Sequence, residues 1–256
     1  MKPLQEVEVR RGAEDARAEL DLVAVEAAVA LVFNGISHAV MMATPADLED
    51  FALGFALSEG LLERASECYG IEVVEGAMGC EVQLDIAAAA EMRLKERRRN
   101  LTGRTGCGLC GIDSLEALDL APKPLQAPLQ INAAAVSHAF EQLPALQVLN
   151  KQSGAHHAAG WSTPDGELLL VMEDVGRHNA LDKLLGQRVR SGTPLGAGFV
   201  IMSSRASSEL VLKCARLQVP LLATISAPTS MAIEIAKNSG LALYGWCRGE
   251  RAVRFS

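Results

Sequence analysis

Hydrophobic and polar positions change period along this chain, and the changes mark its elements. Two apolar runs, Val29-Ala30-Leu31-Val32-Phe33 and Ile36 to Met42, flank Asn34-Gly35, the dipeptide that most strongly signals a two-residue hairpin. Extended chain is therefore expected from Val23 to Met42. Thr44-Pro45-Ala46-Asp47 reads as a helix start, with Thr44 as cap and Pro45 at the first helical position. Leu48, Phe51 and Phe55 give that helix its apolar face. Residues 70–86 predict two strands broken near Gly76 and Gly79, and 87–99 a helix ending in a cationic run. The proline-rich stretch Ala121 to Pro128 reads as a linker, and Asn132 as the cap of a helix reaching about Leu149.

Beyond it the period alternates. Strands are predicted at 168–172, 198–202, 219–225 and 241–246, with helices at 175–190, 206–216 and 229–238 between them. Such alternation predicts a mostly parallel sheet with helices on both faces. The expected organisation is a flexible segment (1–22), a smaller mixed α/β lobe (23–120), a linker (121–131) and an α/β domain (132–256).

Composition narrows the class. Hydrophobic residues make up 49% and charged residues 21%, as in an ordinary globular protein, and the net charge of -7 disfavours a general nucleic-acid binder. Six cysteines are too few for a secreted disulfide scaffold. The charged start has no apolar leader, and no uninterrupted apolar run reaches membrane-spanning length. A cytoplasmic protein with no membrane or nucleic-acid partner is expected.

The chemistry centres on Thr105-Gly106-Cys107-Gly108-Leu109-Cys110-Gly111. Its glycines let a bulky reactant approach two thiols, and Arg97, Arg98, Arg99 and Arg104 favour the thiolate. Structural zinc would need two more ligands at suitable spacing, which Cys68, Cys80 and the adjacent His156-His157 supply poorly. A redox dithiol fits only in part. A zinc deaminase would need H-x-E and P-C-x-x-C, and neither occurs. A nucleophilic or sulfur-carrying thiol remains, with Cys107 attacking or holding sulfur and Cys110 resolving or assisting.

Three polar loops follow predicted strands: Glu173 to Asn179, Ser203 to Ser208, and Ser226 to Ser230. Each alone reads as helix capping. Together, with Arg177 and Arg205, they fit a phosphate-bearing ligand equally well, so Ser204, Arg205, Ser207 and Arg177 are candidate contacts. His157 and His178 sit in Gly/Asn-rich segments, as hydrogen-bonding or acid/base groups. Trp246-Cys247-Arg248-Gly249-Glu250-Arg251 sets two arginines around a glycine, suiting phosphate or guanine, or else a charged turn between strands.

These segments together resemble the FdhD family, sulfur-carrier accessory proteins of formate dehydrogenase. The resemblance rests on Thr44-Pro45-x-Asp47-Leu48-x-x-Phe51-Ala52-x-Gly54-Phe55, Cys107-Gly-Leu-Cys110-Gly111, His157-Ala158-Ala159, the run Glu173 to Lys183, and Ser204-Arg205-Ala206-Ser207. It implies an α/β, three-layer, cytidine-deaminase-like sandwich without the zinc site, and a homodimer. It also implies that sulfur from a cysteine desulfurase is held as a persulfide on Cys107, with Cys110 as partner. The sulfur then passes to a molybdenum (or tungsten) bis(molybdopterin guanine dinucleotide), which GDP would mimic, before that cofactor enters formate dehydrogenase. The segment Trp246 to Arg251 would help to hold the guanine dinucleotide. A non-catalytic cofactor-binding chaperone and a zinc-stabilised binding module are the competing readings.

Overall fold

A computed structural model of the chain describes residues 1–12, 17–99, 122–126, 129–249 and 251–256. The N-terminal segment, expected to fray, instead forms β1 (Leu4–Val9) paired antiparallel with β2 (Glu19–Ala24). Val25 N–H closes its base onto Pro3 O at 2.9 Å, and Arg11 ion-pairs with Glu19 and Asp21.

The predicted hairpin forms as β3 (Ala27–Phe33) and β4 (Ile36–Ala43). Asn34 and Gly35 take φ of 46° and 76°, the left-handed pair that a tight hairpin turn requires. The helix α1 (Leu48–Ser58) follows, then β5 (Cys68–Gly76), β6 (Gly79–Ile86) and α2 (Ala88–Arg99). The strands form one sheet in the order β4-β3-β6-β5, with β3 and β6 parallel. Along β3 and β6, buried Val29, Leu31, Phe33, Val82, Leu84 and Ile86 alternate with outward residues, the period of a sheet covered on one face. Phe51, Ala52 and Phe55 of α1 and Leu94 of α2 complete this core.

Helix α1 starts later than its sequence suggests. Thr44 does not cap it: its hydroxyl accepts the Val175 N–H at 3.1 Å and its own N–H donates to Asp174 at 3.0 Å. The residue before the helix is Asp47, held at φ 53° without a side-chain cap. A bond to a residue far along the chain has replaced the local one.

The second lobe contains α3 (Ala133–Leu146), α4 (Val148–Ser153), β7 (His157–Ser162), β8 (Leu168–Asp174), α5 (Arg177–Arg190), β9 (Phe199–Met202), α6 (Ser208–Arg216), β10 (Leu221–Thr224), α7 (Ser230–Ser239), β11 (Ala242–Arg248) and β12 (Arg251–Arg254). Asn132 Oδ1 accepts the Ala135 N–H at 2.7 Å, so the predicted cap forms. The sheet order is β12-β11-β10-β9-β7-β8. Only β9–β10 and β10–β11 are parallel, whereas β7–β8, β7–β9 and β11–β12 are antiparallel, so the sheet is mixed rather than mostly parallel. Two strands make it so: β7, a hairpin partner of β8, inserts between β8 and β9 and runs against both, and β12 runs against β11 at the other edge. Helices α5, α6 and α7 cover one face of the sheet and α3 the other, giving three layers.

The lobes meet where α1 crosses α5. A Cβ on Gly54 would stand 1.8 Å from Asp182 O, and one on Gly186 1.9 Å from Asp50 O, so the helix backbones touch. Two buried ionic groups flank the crossing. Lys183 pairs with Asp174, while Lys213 binds Asp182, Glu59 and the Ser58 hydroxyl.

Candidate functional site

The carboxyl ends of β8, β9 and β10 open on one edge of the six-stranded sheet, where His157 of β7 stands opposite Asp174. Hydrogen bonds stitch the Ser203 and Ser226 loops to β7 and to the start of the Trp246 segment. Ser203 exchanges bonds with Ala158, its hydroxyl accepting the Ala158 N–H at 2.8 Å. Ala206 N–H donates to Ala227 O at 3.3 Å, and Thr229 N–H returns to Ala206 O at 3.0 Å. Ser226 O then accepts the Trp246 N–H at 3.2 Å, and Ile225 O accepts from Arg248 Nε at 3.2 Å. The Ser203 and Ser226 loops and the start of the Trp246 segment, separate in sequence, are therefore neighbours.

Trp246 is the most strained member. It sits at φ 56° in an irregular stretch of the β11–β12 ladder between Gly245 and Arg248. A bulky residue rarely adopts that conformation, which costs of order 1–3 kcal/mol. Its indole remains 39% exposed, with the Arg251 guanidinium 5.8 Å from the ring centre. The next side chain points the other way: Cys247 is buried, and burial pushes its thiol up to about 12. It is a core residue, not a ligand contact. Arg205, Arg248, Gly249 and Arg251 are exposed.

The Glu173 to Lys183 run divides by direction. Glu173 accepts the Leu149 and Asn150 N–H groups at the start of α4. Asp174, Asn179, Asp182 and Lys183 are buried at or near the contact between the lobes, so most of the run is architectural. Arg177 and His178, both partly exposed, lie at the edge. Burial, then Arg177 and Lys213, push the His178 imidazole down to about 4, so it is neutral at ordinary pH. Its Nε2 stands 4.0 Å from Glu209, too far for a hydrogen bond, and among the described residues neither that atom nor Arg177 Nε has a hydrogen-bond partner. His157 is half-buried at the first position of β7 and is likewise lowered by burial and by Arg177.

Burial alone would raise the Glu209 carboxyl, but its own amide, the Ser207 hydroxyl, His178 and Arg177 hold it below the usual range. Sequence reasoning missed Glu209 because an acid in the first turn of a helix reads as dipole compensation. Ser207 is buried at the N-terminus of α6, and the Ser204 hydroxyl is turned onto Arg205 O at 3.0 Å. Cys107, Cys110 and Glu250 lie outside the described residues. Among the described residues, no three His, Cys, Asp or Glu converge as a metal site, and no helix is long and apolar enough to cross a membrane.

The sequence model of the FdhD/NarQ family matches residues 24–256, which include both the thiol loop and the Trp246 segment. The chain belongs to the FdhD/NarQ family. Among FdhD relatives, the sulfur carrier protein FdhD of Chromobacterium violaceum is 54% identical over 244 residues, covering 94% of this chain and 90% of that one. The sulfur carrier protein FdhD of Variovorax paradoxus is 53% identical over 236 residues, covering 92% and 85%. A crystal structure from Desulfotalea psychrophila, assigned as a candidate formate dehydrogenase accessory protein, superposes with a TM-score of 0.72 at 25% identity. It covers 99% of this chain and 96% of that one.

Proposed function

We propose that this protein carries sulfur for a formate dehydrogenase. It takes a sulfur atom from a cysteine desulfurase as a persulfide on Cys107, assisted by Cys110. It then passes that sulfur to a molybdenum bis(molybdopterin guanine dinucleotide), bound as substrate. The observation that carries this reading is the family match over residues 24–256, alongside relatives of about half-identical sequence that are sulfur carrier proteins.

Chemically, the Cys107 thiolate attacks the outer sulfur of the donor persulfide. A new S–S bond forms, the donor cysteine leaves as thiolate, and no net oxidation occurs. The edge of the six-stranded sheet is suited to the acceptor. The exposed Trp246 indole offers a face for a purine, and Arg177, Arg205, Arg248 and Arg251 offer charge for two pyrophosphates. A neutral His178 and His157 add hydrogen-bonding capacity without extra charge. The three-layer C-terminal lobe supports a cytidine-deaminase-like scaffold put to other use. The reading includes a homodimer working in the cytoplasm.

The deciding measurement is intact mass after incubation with a cysteine desulfurase and free cysteine. The wild type is expected to gain one sulfur atom, and Cys107→Ala to gain none. A wild type that gains none overturns the proposal.

A further inference from the structure

The four-stranded sheet has one face packed under α1 and α2 and an outer face built for contact. The strand register lays Val40, Ala30, Glu81 and Val74 in one row across all four strands, with Met42 opposite Ala28 and Glu72 opposite Gln83. Val40 is 63% exposed, Met42 50%, and Met78 at the β5–β6 turn 92%. A solvated sheet face normally turns polar side chains outward, and a cluster of exposed apolar ones marks an interaction surface.

Charge selects the occupant. The polar side chains exposed on the same face of β5 and β6 are Glu72, Glu81, Gln83 and Asp85, and none of the four strands contains lysine or arginine. A second copy stacked face to face would set these carboxylates against their own kind, which costs affinity. The complementary surface is apolar at its centre with lysine or arginine around it.

Position selects the role. Helix α2 follows β6 directly, and Cys107 lies eight positions beyond its last residue, Arg99, a reach of at most about 29 Å of extended chain. The arginine-bearing edge that suits the acceptor belongs to the other lobe. We infer that the outer face of the β4-β3-β6-β5 sheet docks the sulfur-donating protein, through a cationic surface of that partner, leaving the second lobe's edge free for the acceptor. The inference rests on the sulfur-carrier reading. The step it serves is the balanced exchange already described: donor persulfide plus Cys107 thiolate gives donor thiolate plus Cys107 persulfide.

The test uses the full chain and the cognate cysteine desulfurase as probe. Affinity and sulfur loading are measured for the wild type, for Glu72→Lys/Glu81→Lys, for Val40→Asp, and for Glu234→Lys on α7 as a charge control. The double variant is expected to bind at least tenfold more weakly, Val40→Asp several-fold more weakly, and the control as the wild type does. Wild-type affinity should fall with added salt. Loading of Cys107 from inorganic polysulfide should be unchanged in every variant, which shows that they are folded and competent. Both face variants binding the desulfurase as tightly as the wild type overturns the inference. So does a loss of binding to formate dehydrogenase with desulfurase binding intact. Failure of the wild type to load from either donor is a separate outcome: it removes the carrier reading itself, and this inference with it.

Discussion

Lys183 Nζ lies 2.7 Å from Asp174 Oδ2, and neither side chain is exposed. The carboxylate also accepts from Thr44 N–H, Gly176 N–H and Asn179 Nδ2, at 3.0, 2.8 and 2.9 Å. The ammonium reaches Thr44 O at 3.0 Å as well, so the pair joins the chain before α1 to the start of α5. Both charges are satisfied, and each depends on the other.

Removing one member is therefore costly. Lys183→Met should destabilise the fold by about 3–5 kcal/mol, because a buried carboxylate loses its counter-charge. Urea unfolding reads this directly. A loss below about 1 kcal/mol would show that water or rearrangement compensates the site.

His178 predicts how stability depends on pH. Its folded value of about 4 lies below the ordinary 6.5, so below pH 6.5 the unfolded chain binds the proton more tightly. The contribution is full above pH 6.5 and is lost progressively as pH falls towards 4. Between pH 7.5 and 5 the wild type should lose about 2 kcal/mol more than His178→Gln does. Parallel losses in urea titrations of the two proteins would mean that this imidazole is not held neutral.

Cys247 and Cys214 supply the negative control for sulfur loading. Burial lifts both thiols, Cys247 to about 12, which cuts its thiolate fraction at neutral pH by more than about a thousandfold relative to a free cysteine. Iodoacetamide labelling of the native protein, read by peptide mass spectrometry, should leave both unmodified. Cys247→Ala should load sulfur as the wild type does, and a collapse of loading in that variant would contradict the assignment of this residue to the core.

Trp246 separates a functional residue from a structural one. Trp246→Gly relieves the left-handed strain, but glycine's larger loss of chain entropy and the lost packing of a partly buried ring offset that gain, so unfolding stability should change by less than about 1 kcal/mol. GDP affinity, measured by calorimetry, should fall at least tenfold, with smaller losses for Arg248→Ala and Arg251→Ala. Unchanged affinity in all three variants would place the nucleotide elsewhere on the edge.

Elements closed by neighbouring residues were legible in the sequence. Asn34-Gly35 specifies its own turn and Asn132 its own helix start, and the helix predicted at 229–238 forms as α7, where Thr229 Oγ1 accepts the Ala232 N–H and Gly240 beyond the helix takes φ 74°. Thr44 misled because its hydroxyl bonds to Val175, a partner no local pattern reveals. Strand β7 escaped because His157-Ala-Ala-Gly-Trp-Ser is covered on both faces and shows no alternation, and the reversal on that side of the sheet followed from the omission, while antiparallel β12 reverses the other edge. The same divide runs through the site. Serines and arginines after strands announced the edge, but the inward turn of Asp174 and Cys247 and the strain at Trp246 exist only once the sheet is assembled.

The contact of Gly54 with Asp182 and of Gly186 with Asp50 bears on what counts as a unit in this protein. Phe51 and Phe55 fill the first lobe's core from a helix whose other flank is closed by the second lobe, and Ser58 and Glu59 at its end hold Lys213. Neither half carries a complete surface of its own. Cut between the lobes, the chain would give two complementing fragments, each soluble only in the other's company, rather than two modules that could be shuffled or borrowed separately.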